Sequence, residues 1–231
     1  MDATEAKVTL AVDVMGSDHG PKEIIAGISQ SLDVSPRGTR FLLFGQEDVI
    51  ERHFSAFDNF DFLILPGVGN FAESKNILDK DGWTDSILNS VIHQKKPILG
   101  ICLGMQLLAS WGYEGASNWN KTKIPGFNLI EGEVKSLLDI GCNRRIPHMG
   151  WNEISWQYSH KILEGISKNT DFYFVHSYVF VPSNISHIIA ISNYSLPITA
   201  VFAKDHIWGV QFHPEKSSKA GLRVIKNFLN Q

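Results

Sequence analysis

The stretch from Lys96 to Gly104, KPILGICLG, constrains this chain more than any other. Its apolar run, Ile98 to Ile101, reads as a short buried strand, and the MQLLASW that follows has the composition of a helix start. A strand that enters a helix across one cysteine held between two glycines is a nucleophile elbow. The glycines matter physically, since a tight turn that pushes the Cys102 side chain outward leaves no room for neighbouring Cβ atoms. The new helix also points free N–H groups and the positive end of its dipole at the sulfur, which favours the thiolate. A lone cysteine more often packs as a small apolar residue, so its context decides.

That context lies far downstream in GVQFHPEKS. His213 and Glu215 end a strand-like run, and two positions apart on an extended segment they can point the same way. Pro214 fixes the backbone between them. Nucleophile, base and orienting carboxylate are then all present. A third segment, FLILPGVGNF, runs from a strand into Pro66, Gly67, Val68 and Gly69, a loop that presents backbone N–H groups. Such a loop cradles phosphate as readily as an oxyanion. Beside a cysteine nucleophile the oxyanion reading is favoured, with the Val68 and Leu103 N–H groups as donors.

The rest of the chain supplies a scaffold for these loops. Strands are expected at about 8–14, 41–44, 62–65 and 98–101, with apolar stripes at helical spacing between them: Ile24, Ile25, Ile28 and Leu32, then Trp83, Ile87, Leu88 and Val91. This alternation predicts a parallel sheet flanked by helices. Beyond the elbow the pattern turns strand-rich, at about 128–138, 171–181, 188–192, 198–203 and 207–212, before an amphipathic helix over 219–229. Right-handed crossovers then put Val68, Cys102 and His213 at one sheet edge.

With 231 residues, 43% hydrophobic and 19% charged, the chain can bury a substantial core and reads as one domain without a linker. Its 21 basic and 24 acidic residues leave a net charge of -3, which speaks against nucleic acid or an anionic membrane and for a protein partner. The N-terminus MDATEAKV lacks an apolar signal core, no run reaches spanning length, and there are only two cysteines, so a cytoplasmic setting is expected. Cys142, in a polar GCNRR turn, has no base motif near it and reads as incidental. No ligand spacing suggests a metal, and the chemistry calls for no cofactor.

From about Phe62 to Gln231 the chain resembles class I glutamine amidotransferases, and within them the glutaminase subunits of imidazole glycerol phosphate synthase. The matching segments are LPGVGNF, PILGICLGMQLL, Glu114 with Gly115, IPHMGWNEI, FYFVHSY and GVQFHPEKS, of which PHMGWN and FVHSY are the narrow markers. The resemblance implies an α/β, flavodoxin-like fold: a central, mostly parallel sheet flanked by helices, with a strand-rich C-terminal half. It implies Cys102, His213 and Glu215 as a triad, and Gly67, Gly69, Gln106, Glu114, Ser177 and Tyr178 around bound glutamine. Gln106, four residues after Cys102, lies one helical turn on and on the same face. Glu114 offers a carboxylate to an α-ammonium, and groups near Ser177 and Tyr178 offer donors to an α-carboxylate. Glutamine hydrolysis would release ammonia to a (β/α)8 barrel synthase subunit that forms imidazole glycerol phosphate, a step of histidine biosynthesis. Pro147, His148, Met149, Trp151 and Lys216 would face that partner, with Trp151 as an aromatic anchor.

Two other readings fit the same motifs: a paralogous glutaminase feeding a sugar-modifying synthase of surface polysaccharide, and a folded scaffold without activity. The second draws on the N-terminus, where these glutaminases usually carry a DYGxGN-like turn. Here TLAVDVMGSDHGPKEIIAGISQSL and TRFLLFGQEDVIERHF resemble instead the opening strand, helix and strand of bacterial phosphate acyltransferases, up to about Phe57. The expected organisation is one amidotransferase domain over 1–231 with an atypical β-α-β segment at about 1–57. The loop Met15 to Gly20 reads as an ordinary βα connection.

Overall fold

The computed structural model describes residues 9–13, 40–44 and 61–231. The stripe from Ile24 to Leu32 and the loop from Met15 to Gly20 lie outside them. A seven-stranded mixed sheet forms the centre, in the order β3 (Leu63–Leu65), β4 (Ile98–Ile101), β13 (Ile207–Val210), β12 (Pro197–Lys204), β11 (Ile188–Asn193), β8 (His148–Ser155), β9 (Asp171–His176). The β3, β4 and β13 ladders are parallel, and the rest of this sheet is antiparallel. Within it, parallel pairing is thus confined to the edge that carries the cysteine, so the sheet is mixed rather than mostly parallel as expected. β11, β12 and β13 follow one another by short turns, which suit antiparallel neighbours.

A second sheet orders β10 (Tyr178–Pro182), β7 (Ile130–Ser136), β5 (Ala109–Gly112) and β6 (Ile124–Pro125). β1 (Thr9–Asp13) and β2 (Arg40–Phe44) pair in parallel, and β1 runs beside β3.

The period of two along β3 and β4 splits their side chains between two cores. Leu63, Leu65 and Ile98 enter one, with Phe71, Met105 and Phe180; Ile64, Leu99 and Ile101 enter the other, with Phe172, Phe212 and Phe228. Burial on both faces explains why these strands read as continuous apolar runs. The first core is covered by α1 (Phe71–Lys80) and α2 (Trp83–Leu88), the latter running into a π-helical turn at Asn89–His93. Ile87 and Val91 are buried there, with Trp83 and Leu88 packed against them, as their spacing predicts. The second core is closed by α4 (Ser218–Leu229), through Val224 and Phe228. A small third cluster gathers Leu137, Cys142, Val179 and Ile198.

Three elements differ from the sequence expectation. The elbow helix α3 (Leu103–Leu107) is only five residues long, and the chain turns at once into β5. The carbonyls of Leu107, Leu108 and Ala109 accept from the backbone N–H groups of Phe127, Leu129, Ile130 and Asn128, so a tertiary ladder overrides helix propensity. The run expected as one strand over 171–181 breaks at Ser177 into β9 and β10, which belong to different sheets. β8 carries no period-2 apolar signal because much of its length is exposed or half-buried.

Candidate active site

Cys102 stands between β4 and α3 with φ 51° and ψ −110°, a strained geometry for a residue with a side chain. The two flanking glycines make that corner possible. A Cβ on Gly104 would lie 1.7 Å from the Leu65 carbonyl oxygen, and one on Gly100 would lie 2.6 Å from the Met105 backbone. Helix and strands therefore touch backbone to backbone, and Cys102 N–H is held by the Val210 carbonyl at 2.8 Å. With so short a helix, little dipole reaches the sulfur. Its surroundings come instead from side chains on β13 and the turn after it.

His213 follows β13 and is 2% exposed, its backbone N–H donating to the Tyr173 carbonyl at 2.9 Å. Nδ1 lies 2.7 Å from a Glu215 carboxylate oxygen, while Nε2 is buried without a conventional hydrogen bond. Burial alone would push the imidazole pKa down, but the Cys102 thiol and then Glu215 outweigh it and raise it to about 9. Glu215 is held below the usual carboxylate range: burial works against ionisation and the His213 contact overcomes it. Sulfur, imidazole and carboxylate thus form one interacting row, with Nε2 left for the sulfur or for a proton in transit.

Beside them is a cavity of about 330 Å³, within the usual range for a small-molecule site. Val68, Gly69, Cys102, Gln106, Glu114 and the Ser177–Tyr178 turn line it. Gln106, whose N–H bonds the Cys102 carbonyl one turn back, donates its side-chain amide to the Tyr178 carbonyl at 2.9 Å. Glu114 accepts from Phe71 N–H at 2.9 Å through one carboxylate oxygen, and burial raises its pKa. Ser177 is the residue at which the chain leaves one sheet for the other.

Three expected positions look different in the structure. Leu103 N–H, expected to face an oxyanion, donates to the Gly67 carbonyl at 3.3 Å. Val68 lines the cavity from a loop that leaves it 39% exposed. His148, expected at a protein interface, is 2% exposed, with its ring stacked between Phe174 and Tyr194, so it cannot present that ring to a partner. The neighbouring Pro147, Met149 and Trp151 are the exposed residues of that segment. Trp151 meets the Tyr173 ring edge to face at 6.1 Å, and Lys216 lies 5.9 Å from the same ring. Met149, Tyr173 and Lys216 also line the cavity, so the aromatic face and the cysteine share one opening.

Sequence reading missed two features. Gln211, 0% exposed, donates its amide to the Cys102 sulfur at 3.6 Å. His176 bonds His148 ring to ring at 3.0 Å, and its other nitrogen lies 3.0 Å from the Tyr178 carbonyl. Burial and His148 push the His176 pKa down to about 3, and burial and Arg144 push that of His148 to about 4, so both are neutral. A polar residue inside the apolar run over 207–212 was the available signal, since buried amides must find partners. Among the described residues no cluster of three His, Cys, Asp or Glu side chains is placed to hold a metal, and no helix is long and apolar enough to cross a membrane.

Known proteins resemble this chain in sequence and in fold. Residues 38–231 match the glutamine amidotransferase class-I family, and residues 8–62 match a family described as fatty acid synthesis protein. The imidazole glycerol phosphate synthase subunit HisH 1 of Prochlorococcus marinus (strain MIT 9313) is 44% identical over 170 residues, 72% of this chain and 77% of its own. Subunit HisH of Rhodospirillum rubrum is 40% identical over 185 residues, 79% and 84% of the two chains. Among solved structures, one described as a glutamine amidotransferase superposes with a TM-score of 0.63 at 15% identity, over 96% of this chain and 97% of that one. A glutamine amidotransferase from Thermotoga maritima gives 0.60 at 17% identity, over 97% and 84%.

Proposed function

This chain belongs to the class-I glutamine amidotransferase family, and we propose that it is the glutaminase subunit of imidazole glycerol phosphate synthase, hydrolysing glutamine and passing ammonia to a cyclase partner. The observation that carries the proposal is the row of Cys102, His213 and Glu215, of which Cys102 lines the cavity.

The Cys102 sulfur attacks the side-chain amide carbon of glutamine, and the carbonyl oxygen becomes an oxyanion. Protonated His213 gives its proton to the departing ammonia, and water then cleaves the γ-glutamyl thioester, with the imidazole as base. Glu215, bonded to Nδ1, keeps Nε2 aimed at the chemistry and stabilises the imidazolium. The Val68 and Leu103 N–H groups receive the oxyanion once Leu103 exchanges its bond to the Gly67 carbonyl for the developing charge. Glu114 takes the α-ammonium of the substrate and the Ser177–Tyr178 turn takes its α-carboxylate. Over residues 1–231 this amounts to a single amidotransferase domain whose first strands are of foreign type.

The partner is a (β/α)8 cyclase docked on Met149 and Trp151, which are 61% and 54% exposed; Met149 lines the cavity, and Trp151 packs against Tyr173, which lines it too. Trp151→Ala should weaken the complex about tenfold, measured by calorimetric titration, without changing the fold of either protein. The test of function is reconstitution with such a cyclase in the presence of its nucleotide substrate. Imidazole glycerol phosphate should form with glutamine as nitrogen donor; product formed from ammonium salts but never from glutamine overturns the assignment.

A further inference from the structure

We propose that Gln211 is a further catalytic residue: its amide N–H steadies negative charge on the Cys102 sulfur, and hydrogen bonds starting from the Tyr178 carbonyl fix the way that amide faces. The inference rests on the reading of Cys102 as nucleophile.

The orientation follows from what each atom can do. The Tyr178 carbonyl can only accept, so the Gln106 group 2.9 Å from it must be the NH2. The second hydrogen of that NH2 meets Gln211 Oε1 at 3.2 Å. Turning the Gln106 amide over would set two oxygens against each other at each contact. With Oε1 of Gln211 engaged, its NH2 has to face the Cys102 sulfur, at a distance suited to the large radius of sulfur. Gln211 is 0% exposed, so no solvent competes for either end of the amide. A donor aimed at a sulfur stabilises the thiolate over the thiol.

The same carbonyl is held from the other side. His176 Nδ1 donates to it, which leaves His176 Nε2 as the acceptor for His148 Nδ1–H, and His148 Nε2 as the acceptor for Asn152 Nδ2 at 3.4 Å. Each tautomer is fixed by the next, back from Tyr178 to β8. Gln106 is therefore the positioning residue, His176 and His148 brace the carbonyl that it bonds, and Gln211 is the member that touches the reacting atom. Around the sulfur the titratable groups are His213 backed by Glu215, neutral His176 behind them, and Glu114, Tyr173, Tyr178 and Lys216 on the cavity wall.

Gln211→Glu, nearly isosteric but with an acceptor in place of the donor, and Gln211→Leu, apolar, test the proposal in the complex with the cyclase. Iodoacetamide labelling of Cys102, followed by peptide mass so that Cys142 is counted apart, should move to higher pH by about one unit in both. Glutaminase kcat should fall about tenfold or more while KM for glutamine changes less than about threefold. Folded variants with the wild-type labelling profile overturn the proposal, and so does a loss expressed only in KM, which would place Gln211 in substrate binding. Hydrolysis surviving in Cys102→Ala overturns the nucleophile itself; loss there beside wild-type behaviour of the Gln211 variants overturns this inference alone.

Discussion

The surroundings of Cys102 and Cys142 differ far less than two such residues would be expected to. Each is 6% exposed and free. Each sulfur lies near a backbone carbonyl, Val175 at 3.8 Å for Cys102 and Tyr194 at 3.6 Å for Cys142, and each receives a side-chain donor, Gln211 at 3.6 Å or Ser195 at 3.4 Å. What separates them is the backbone and the base. Cys102 sits at φ 51° on a corner between strand and helix, with His213 beside it and a cavity in front. Cys142 packs in the small cluster of Leu137, Val179 and Ile198. Burial and sulfur hydrogen bonds therefore do not set the proposed nucleophile apart; a strained turn opening on a cavity beside an imidazole does.

The sharpest way to break this contrast is to remove each sulfur. Cys102→Ala should lower glutamine hydrolysis in the reconstituted complex by about 10⁴-fold or more, with an unchanged melting temperature, since members of a triad of the proposed kind act as a unit. Hydrolysis at a wild-type rate would make the two cysteines equivalent. Glu215→Gln should cost about 10³-fold in kcat, less than loss of the nucleophile, since the role proposed for the carboxylate is to orient the ring and it is itself partly open to water.

The same substitution has a signature in stability. Because the folded pKa of His213 lies at about 9, above its unfolded value of 6.5, its stabilising contribution is complete below 6.5 and is lost as pH rises through about 9. The gap in melting temperature between wild type and Glu215→Gln should thus be widest near pH 6 and close above about pH 9. A gap that widens with pH would mean the imidazole is not held protonated. The smallest effect belongs to Cys142→Ala: about 1 kcal/mol of stability lost, a few degrees of melting temperature, and activity within about twofold of wild type.

Much of the site was legible because its elements are local. The elbow at 98–104, the PGVG loop and the His213–Glu215 pair are short segments whose residue types each imply a geometry. The strands β4, β7, β11, β12 and β13 followed from apolar runs, and the closing helix from its stripe. Other features carried no local signal. FYFVHSYVFV is one apolar stretch, and nothing in it announces that Ser177 parts two sheets. His148 looked like a surface residue between the exposed Pro147 and Met149, whereas alternation along β8 turns it inward onto Phe174. Leu103 N–H was expected to be free, and only the approach of the PGVG loop shows it on Gly67.

By itself, then, the sequence determined which residues could act: a cysteine between glycines, a histidine with a carboxylate two positions on, and a loop rich in N–H donors. Those choices are local, because backbone strain, helix starts and period-2 alternation span only a few residues. Tertiary structure alone decided how the side chains face. It turned one end of the Gln211 amide toward the sulfur, set the tautomers of His148 and His176, and packed Cys142 among Leu137, Val179 and Ile198. Such orientations depend on acceptors and packing surfaces from strands distant along the chain, and no spacing within one segment encodes them.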